Sequence, residues 1–297
     1  MRSDGGLRLG TRGSLLARTQ SEWVAEQVTK HTGRAVALVV IKTRGDKIQD
    51  RPLDQVGGKG LFTKEIEDAM LVGEVDFAVH SMKDMPGEAP PGVVITAIPV
   101  REDPRDALVG KALADLASGA VVGTGSARRR AMLLEIRPDL DVRGIRGNVP
   151  TRIRKMREGE YDAVVLAMAG LRRLGLGHEV SEPLSTEQML PATGQGALAV
   201  QCRGDDAEVR ALLSRVHHRP TATCIRAERG FLVEYGGGCS APVACHAVLH
   251  DGELEVQAFV EGPDGTIWRR DAQGTAERAE EMGRSLAQTL KGLAGPD

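Results

Sequence analysis

Three segments of the chain combine arginine with glycine and a small polar side chain. They are Thr11–Ser14, Gly123–Arg130 and Arg146–Asn148. Backbone N–H groups left free at the start of a helix, together with a guanidinium, bind carboxylates and phosphates. Each segment therefore indicates an anion site, although Ser126 acting only as a helix N-cap explains its own segment equally well. No segment has the spacing of a GxxxxGK[ST] or GxGxxG nucleotide loop.

The distribution of charge also indicates an anionic ligand. The 297 residues carry a formal net charge of −2. From Arg128 to Arg173, however, eleven Arg and one Lys stand against six acidic residues, an excess of +6, which leaves −8 for the rest. Single-strand nucleic-acid binders interleave basic residues with stacking aromatics, and this stretch has only Tyr161. Small carboxylates or phosphates therefore suit the stretch better than nucleic acid.

Two further residues have the types and settings of reactive groups. Asp84 follows Lys83 at the end of a predicted strand, where a carboxylate stabilises a positive intermediate or moves a proton. The alternative for Asp84 is a surface ion pair or a helix cap. Cys239 follows three glycines, which present its thiol on a flexible loop as a nucleophile or an attachment point. The alternative for Cys239 is a buried structural cysteine, and His80 is assigned no role.

The remaining cysteines and one glycine-rich loop have simpler interpretations. The other three cysteines, Cys202, Cys224 and Cys245, lie in helix or strand contexts and are predicted to be structural. Without a CxxC pair or regular spacing, neither a zinc site nor a disulfide framework is expected, which favours reduced thiols in the cytoplasm. The loop Gly57–Gly60 is predicted to be mobile, with Phe62 available to cover a cleft; a structural turn is the alternative.

Strands and helices alternate along the first two thirds of the chain, which predicts parallel sheets with helices on both faces. After about Pro220 the pattern changes to a helix, a small antiparallel sheet and a final helix. The predicted strands are 7–11, 35–43, 76–80, 92–98, 121–124, 141–145, 163–167, 247–249, 253–259 and 266–271. The predicted helices are 14–29, 64–71, 126–136, 151–157, 223–233 and 275–293.

The predicted fold class is α/β, with two doubly wound domains around a cleft and a small α+β C-terminal domain. Domain 1 is expected to span residues 1–100 and 200–218, domain 2 residues 101–199, and domain 3 residues 219–297. Ligands of such sheets lie at the carboxyl ends of the strands, which is where the arginine loops and Asp84 fall. The N-terminal residues have no apolar core segment, and stretches such as 163–171 are too short to span a bilayer. We therefore expect a cytoplasmic protein without a signal peptide.

Ten motifs in this order resemble the hydroxymethylbilane synthase (porphobilinogen deaminase) family over nearly the whole chain. Each motif is weak alone, but the ordered set is specific. They are TRGS, TRGD, GGKGLF, AVHSMKDMP, REDPRDAL, GTGSARRR, RGNVPTR, YDAVVLAMAGLRRLG, LPATGQGALAVQCR and GGGCSAP.

The resemblance implies periplasmic-binding-protein-like first and second domains and a transferase activity. The family joins four porphobilinogen molecules head to tail, releases ammonia each time, and frees the product as linear hydroxymethylbilane for porphyrin and heme biosynthesis. It also implies one dipyrromethane cofactor per chain, attached by a thioether to the cysteine that falls on Cys239. No metal is implied, and a monomer is expected.

Roles for further residues come from the same resemblance. Asp84 falls on the catalytic aspartate, whose carboxylate stabilises pyrrole N–H groups and the cationic azafulvene formed on deamination. The positions that hold cofactor carboxylates are Lys83, Thr124, Ser126, Arg128, Arg129 and Arg146. The positions that contact substrate are Arg12, Ser14, Arg152 and Arg173, with Lys59 on the mobile loop and Gln195 near the hinge.

A negative charge at Asp84 among so many cations has a physical reason, since the reacting centre becomes positive while the ligand periphery is negative. Two positions depart from the family pattern: Gly125 removes a hydroxyl from one anion loop, and Pro150 stiffens the entry to a helix. A hinged anion-binding sensor without catalysis remains an alternative, and so does a paralogue that has lost cofactor assembly. The sensor has no need of the GGGC segment, and the intact Cys239 and Asp84 argue against the paralogue.

Overall fold

A computed structural model describes residues 5–43, 45, 63–236 and 241–295. The strands are β1 Leu7–Thr11, β2 Val36–Val40, β3 Phe77–Ser81, β4 Val93–Ala97, β5 Asp106–Gly110, β6 Val121–Gly123, β7 Asp141–Arg143, β8 Ala163–Ala167, β9 Val180–Pro183, β10 Leu198–Arg203, β11 Val243–His250, β12 Glu253–Glu261 and β13 Ile267–Thr275. The helices are α1 Leu15–Thr32, α2 Lys64–Leu71, α3 Ala127–Ile136, α4 Val149–Arg157, α5 Met168–Arg173, α6 Ala207–Leu213, α7 Arg219–Tyr235 and α8 Ala279–Ala294.

The chain divides into two compact units. The first unit comprises Met1–Arg101 and Ala197–Ala222, and the second comprises Glu102–Gly196 and Thr223–Asp297. The chain therefore passes from one unit to the other after Arg101, after Gly196 and after Ala222. The finer division into three domains stays a prediction.

The sheet of the first unit is mixed. Its strand order is β2-β1-β3-β10-β4, in which β1 is parallel to β2 and β3, whereas β10 is antiparallel to β3 and β4. The expectation of a purely parallel sheet is therefore wrong here. The apolar run 35–43 has the composition of a buried strand, but β2 lies at the sheet edge and Val40 is 52% exposed. The core is formed by side chains such as Leu9, Phe77 and Val200.

The sheet of the second unit repeats this arrangement without a sequence repeat. Its order is β7-β6-β8-β5-β9, with β6 parallel to β7 and β8, and β5 antiparallel to β8 and β9. In each sheet the antiparallel fourth strand is the first strand after the chain arrives from the other unit. The sequence pattern missed β5 and β10, which lie near predicted boundaries, and also missed the four-residue edge strand β9.

The C-terminal part of the second unit is the antiparallel sheet β11-β12-β13, as predicted. Apolar residues of α7 and α8, including Phe231 and Leu286, form one core with this sheet. The two helices approach closely at Gly283, where an added Cβ would overlap the carbonyl of Ala227. Phe259 of β12 also packs into the core below β5, β6 and β8, so both sheets belong to one folded unit. Among the described helices, none combines the length and the apolarity needed to cross a membrane.

Candidate functional site

Asp84 lies on a short 3-10 helix that follows β3 directly, at the carboxyl end of the strand. The turn is fixed on both sides by buried methionines: the Met82 amide donates to the Ala197 carbonyl at 3.0 Å, and the Met85 amide donates to the Met82 carbonyl at 3.1 Å. Asp84 itself is exposed, and its carboxylate forms no hydrogen bond or ion pair with another described residue. The turn therefore presents a solvated negative charge from a rigid base.

Arg12, Ser14 and Lys83 lie on the same edge of this sheet as Asp84. Strands β1 and β3 are parallel neighbours, with Leu9 opposite Phe77, so the segments that follow them begin side by side. The Ser14 hydroxyl accepts a hydrogen bond from the Ala17 amide at 3.3 Å and caps α1. Gln20 of α1, which the sequence did not single out, bonds to the Ser81 hydroxyl at 3.1 Å and so ties α1 to the end of β3.

His80 is buried immediately before this turn. Burial and the positive charge of Arg12 lower the pKa of His80 to about 4, although the nearby Gln201 side chain opposes them. His80 Nε2 and Gln201 Oε1 are both buried without a hydrogen-bond partner among the described residues. The ring is therefore neutral at physiological pH and adds no positive charge beside Arg12.

The neutral state of His80 gives a prediction for stability against pH. The pKa in the folded protein is about 4 and the ordinary value is 6.5, so the unfolded chain binds more protons between these values. The free energy of unfolding should therefore fall as pH drops from about 6.5 to 4, by roughly 3 kcal/mol from this group. Urea unfolding at several pH values should show a flatter dependence in His80→Gln than in the unsubstituted protein. The matched control His178→Gln removes an exposed histidine and should leave the slope unchanged; equal slopes in all three proteins would contradict the prediction.

In the second unit, the loop after β6 uses its hydroxyls for its own structure. Thr124 is buried and its Oγ1 accepts from the Ser126 amide at 3.2 Å. Ser126 Oγ accepts from the Arg129 amide at 3.4 Å and caps α3. The capping interpretation of Ser126 is thus observed, and a contact of Thr124 or Ser126 with a ligand stays a prediction.

Arg128 and Arg129 turn into the protein, where their side chains surround one carboxylate. Arg128 is 3% exposed and Arg129 is 6% exposed. Arg128 Nη2 lies 2.7 Å from Asp106 Oδ2, and Arg129 Nη2 lies 2.7 Å from Asp106 Oδ1. Arg128 also donates to the Leu190 carbonyl, and Arg129 donates to the Val165 carbonyl at 3.0 Å. Much of the donor capacity of both guanidiniums is therefore used inside the protein.

Gln195 belongs to the same buried cluster. It is 1% exposed, and its Nε2 donates to the Pro104 carbonyl at 2.7 Å and to Asp106 Oδ1 at 2.8 Å. A direct contact of Gln195 with substrate stays a prediction. Asp106, which the sequence analysis did not single out, is the centre of the cluster. Its place inside REDPRDAL was the only available signal, because its partners lie more than 20 residues away.

Arg146 and Arg152 form a positively charged group with Arg129. Arg152 is half-buried at the start of α4, and its Nε donates to the Gly147 carbonyl at 2.8 Å. Burial, together with the charges of Arg129 and Arg146, lowers the pKa of Arg152 to about 10. Arg146 is exposed, and neither Arg146 nor Arg152 forms an ion pair with a described carboxylate. Because the three positive charges repel one another, the binding of an anion between them is favourable.

Arg173 is the last residue of the Arg-rich stretch and lies at the end of α5, where its guanidinium is held by another segment of the chain. Its Nη2 donates to the Gly196 carbonyl at 2.7 Å, at the residue where the chain leaves the second unit. Burial lowers the pKa of Arg173 to about 10, although the charge of Glu102 opposes this. Two other predicted site residues, Lys59 and Cys239, lie outside the described residues, as does the loop Gly57–Gly60.

The mixed five-stranded sheets, with arginines and an exposed aspartate on segments that follow their strands, define the class of the protein as α/β. Comparison with protein families makes the class specific. Residues 7–211 match the porphobilinogen deaminase, dipyromethane cofactor binding domain, and residues 222–292 match the porphobilinogen deaminase, C-terminal domain. The chain belongs to the porphobilinogen deaminase family.

Curated proteins of the same family match almost the full length of this chain. Porphobilinogen deaminase of Syntrophotalea carbinolica is 49% identical over 293 residues, covering 97% of this chain and 93% of its own. Porphobilinogen deaminase of Geobacter metallireducens is 50% identical over 288 residues, covering 96% of this chain and 91% of its own. Among solved structures, the methionine-binding protein MetQ is similar over 71% of this chain and 89% of its own, at 12% identity and a TM-score of 0.46.

Proposed function

We propose that this protein is a hydroxymethylbilane synthase that joins four porphobilinogen molecules into a linear tetrapyrrole and releases ammonia at each addition. Family membership over residues 7–211 and 222–292 supports the proposal. The observation that carries it is the positive group Arg129–Arg146–Arg152 of the second unit, in which Arg146 and Arg152 form no ion pair with a described carboxylate, together with the exposed Asp84 carboxylate of the first. Porphobilinogen brings two carboxylates to such a protein, and its deamination develops positive charge.

The described residues suit a cofactor with acidic side chains. The family domain that they match binds dipyrromethane, which when bound would supply the terminal pyrrole carbon to which the first ring is joined. Arg129 and Arg146 both carry positive charge beside the N-terminus of α3. No described ion pair neutralises the charge of Arg146. We propose that Cys239 holds the cofactor through its sulfur and that Lys83, Thr124, Ser126 and Arg128 complete the binding site.

For substrate, we propose that Arg12, Ser14, Arg152 and Arg173 bind and orient carboxylates, with Lys59 and Gln195 contributing nearby. Orientation matters because carbon–carbon bond formation requires the reacting atoms to be aligned at near-contact distance. Asp84 holds a pyrrole N–H and stabilises the positive charge that develops as ammonia leaves, which a rigidly mounted carboxylate does without reorganisation. In this proposal the arginines bind the negative carboxylates of the ligand, and Asp84 stabilises the positive charge that develops during the reaction.

We also propose that the protein acts in the cytoplasm as a monomer. Its described cysteines, Cys202, Cys224 and Cys245, are buried and form no disulfide with one another, which suits a reducing compartment. An anion-binding sensor would use the same arginines, and turnover separates the two functions. Incubation with porphobilinogen should release ammonia in proportion to substrate consumed; binding without ammonia release would favour the sensor.

The role of Arg152 gives a prediction with a control on the same helix. Arg152→Gln removes one charge-assisted bond to a carboxylate, and we expect KM for porphobilinogen to rise about tenfold or more, since such a bond contributes about 1.5–3 kcal/mol. Arg154→Gln removes an exposed guanidinium of α4 that pairs with Glu158, and should change KM less than about twofold. Steady-state kinetics of both variants checks this prediction. The same KM for porphobilinogen in Arg152→Gln and Arg154→Gln would contradict a binding role for Arg152.

A further inference from the structure

Asp106 is a buried carboxylate for which no role has yet been given. It opens β5, the first strand after the chain enters the second unit, and is fully buried. Oδ2 accepts from Arg128, and Oδ1 accepts from Arg129 and from Gln195. Two guanidiniums therefore share a single carboxylate, and the cluster keeps a net charge of +1 inside the protein.

The hydrogen bonds of Arg129 show that Asp106 fixes the orientation of its guanidinium. Arg129 Nε and Nη2 both donate to Asp106 Oδ1, at 3.2 and 2.7 Å, and Nη1 donates to the Val165 carbonyl of the neighbouring strand β8. These bonds fix the plane of the guanidinium, while one N–H on each terminal nitrogen is not used by them. The charge of the same guanidinium acts on Arg152, so the position of Arg129 also determines the field in the Arg129–Arg146–Arg152 group.

Asp106 is in turn held from the C-terminal part of the unit. The Gln195 side chain bonds to Asp106, and the preceding residue, Gly194, donates its amide to Glu228 Oε2 at 2.6 Å. Glu228 of α7 also accepts from the Ala247 amide of β11 at 3.0 Å. β11 is the first strand after the segment that contains Cys239. A continuous series of buried polar contacts thus joins β11 to the guanidinium of Arg129.

We propose that Asp106 is a positioning residue, which fixes the Arg128–Arg129 pair so that Arg129 meets a ligand carboxylate together with Arg146 and Arg152. The proposal rests on the proposed function for its kinetic consequence but not for its effect on anion binding. Asp106 does not touch the ligand; it acts through Arg129. The carboxylate is ionised: burial would raise the pKa of Asp106, but the charges of Arg128 and Arg129 outweigh this and hold the pKa well below the ordinary value.

The test compares Asp106→Glu and Asp106→Asn with a control carboxylate. Asp106→Glu keeps the charge but moves it by one methylene, which displaces Arg129. We expect KM for porphobilinogen to rise by about 10- to 100-fold with a smaller change in kcat, as for a displacement of about 1 Å. Asp106→Asn loses the charge and is expected to be less stable as well. Asp162→Asn is the control, since Asp162 bonds to Lys111 and to the Val121 amide at the start of β6 and should affect stability without affecting KM.

A second measurement keeps the positioning role separate from the proposed function. Succinate should raise the unfolding temperature of the unsubstituted protein and of Asp162→Asn, with an affinity at least about tenfold weaker in Asp106→Glu. Unchanged succinate affinity and unchanged KM in a folded Asp106→Glu protein would overturn the proposal. Weakened succinate binding in a protein that never consumes porphobilinogen would support the positioning role and contradict the proposed function.

Discussion

Asp84→Ala should lose most turnover while keeping the fold. The carboxylate is exposed and bonds to no other described residue, so its removal leaves no buried group without a partner. The turn itself is fixed by Met82 and Met85, which the substitution does not touch. Removal of a preorganised group that stabilises transition-state charge lowers kcat by about 100- to 1,000-fold, and we expect a loss of that size here.

The control for Asp84 lies four residues along the same loop. Glu88 is also an exposed carboxylate without a described partner, so Glu88→Gln makes a similar change in charge at a neighbouring position. We expect kcat of Glu88→Gln to stay within about twofold of the unsubstituted value. Circular dichroism and urea unfolding should give the same stability for both variants. Normal turnover in Asp84→Ala, or equal losses in the two variants, would end the proposed role of Asp84.

Elements with a strong local pattern were predicted closely from the sequence. The bounds of β1, α2 and β8 agree residue for residue with prediction, and Ser126 caps its helix as the sequence indicated. These features depend on neighbours within a few residues, through apolar periodicity and capping hydrogen bonds. The order and direction of strands depend instead on distant partners, and for that reason β5 and β10 were missed.

The same distinction applies to the site. The sequence gathered the arginines into one stretch, but it could not separate those that face inward from those that face solvent. Arg128 and Arg129 lie side by side in GTGSARRR with Arg130, yet only the first two meet Asp106, 22 and 23 residues away. Arg146 and Arg152 come close to Arg129 because β6, β7 and α4 bring their loops together. The residue types could be read from the sequence, but only the fold shows that these arginines come together.

The second large effect concerns the cysteine of the glycine-rich segment. In the proposed function, Cys239 supplies the only covalent link between chain and cofactor, and a serine hydroxyl is a much poorer nucleophile than a thiolate. Cys239→Ser should therefore lose porphobilinogen consumption almost completely, a larger effect than loss of any single carboxylate-binding arginine. The matched variant Cys202→Ser alters a buried cysteine of β10 that bonds to Thr96 and should keep turnover.

The most direct test of the central claim is the intact mass of the purified protein, measured beside Cys239→Ser and Cys202→Ser. We predict that the unsubstituted protein and Cys202→Ser carry the added mass of two porphobilinogen-derived rings, and that Cys239→Ser does not. An unmodified mass in the unsubstituted protein, which stays unmodified after incubation with porphobilinogen, would contradict the synthase function and favour an anion-binding sensor.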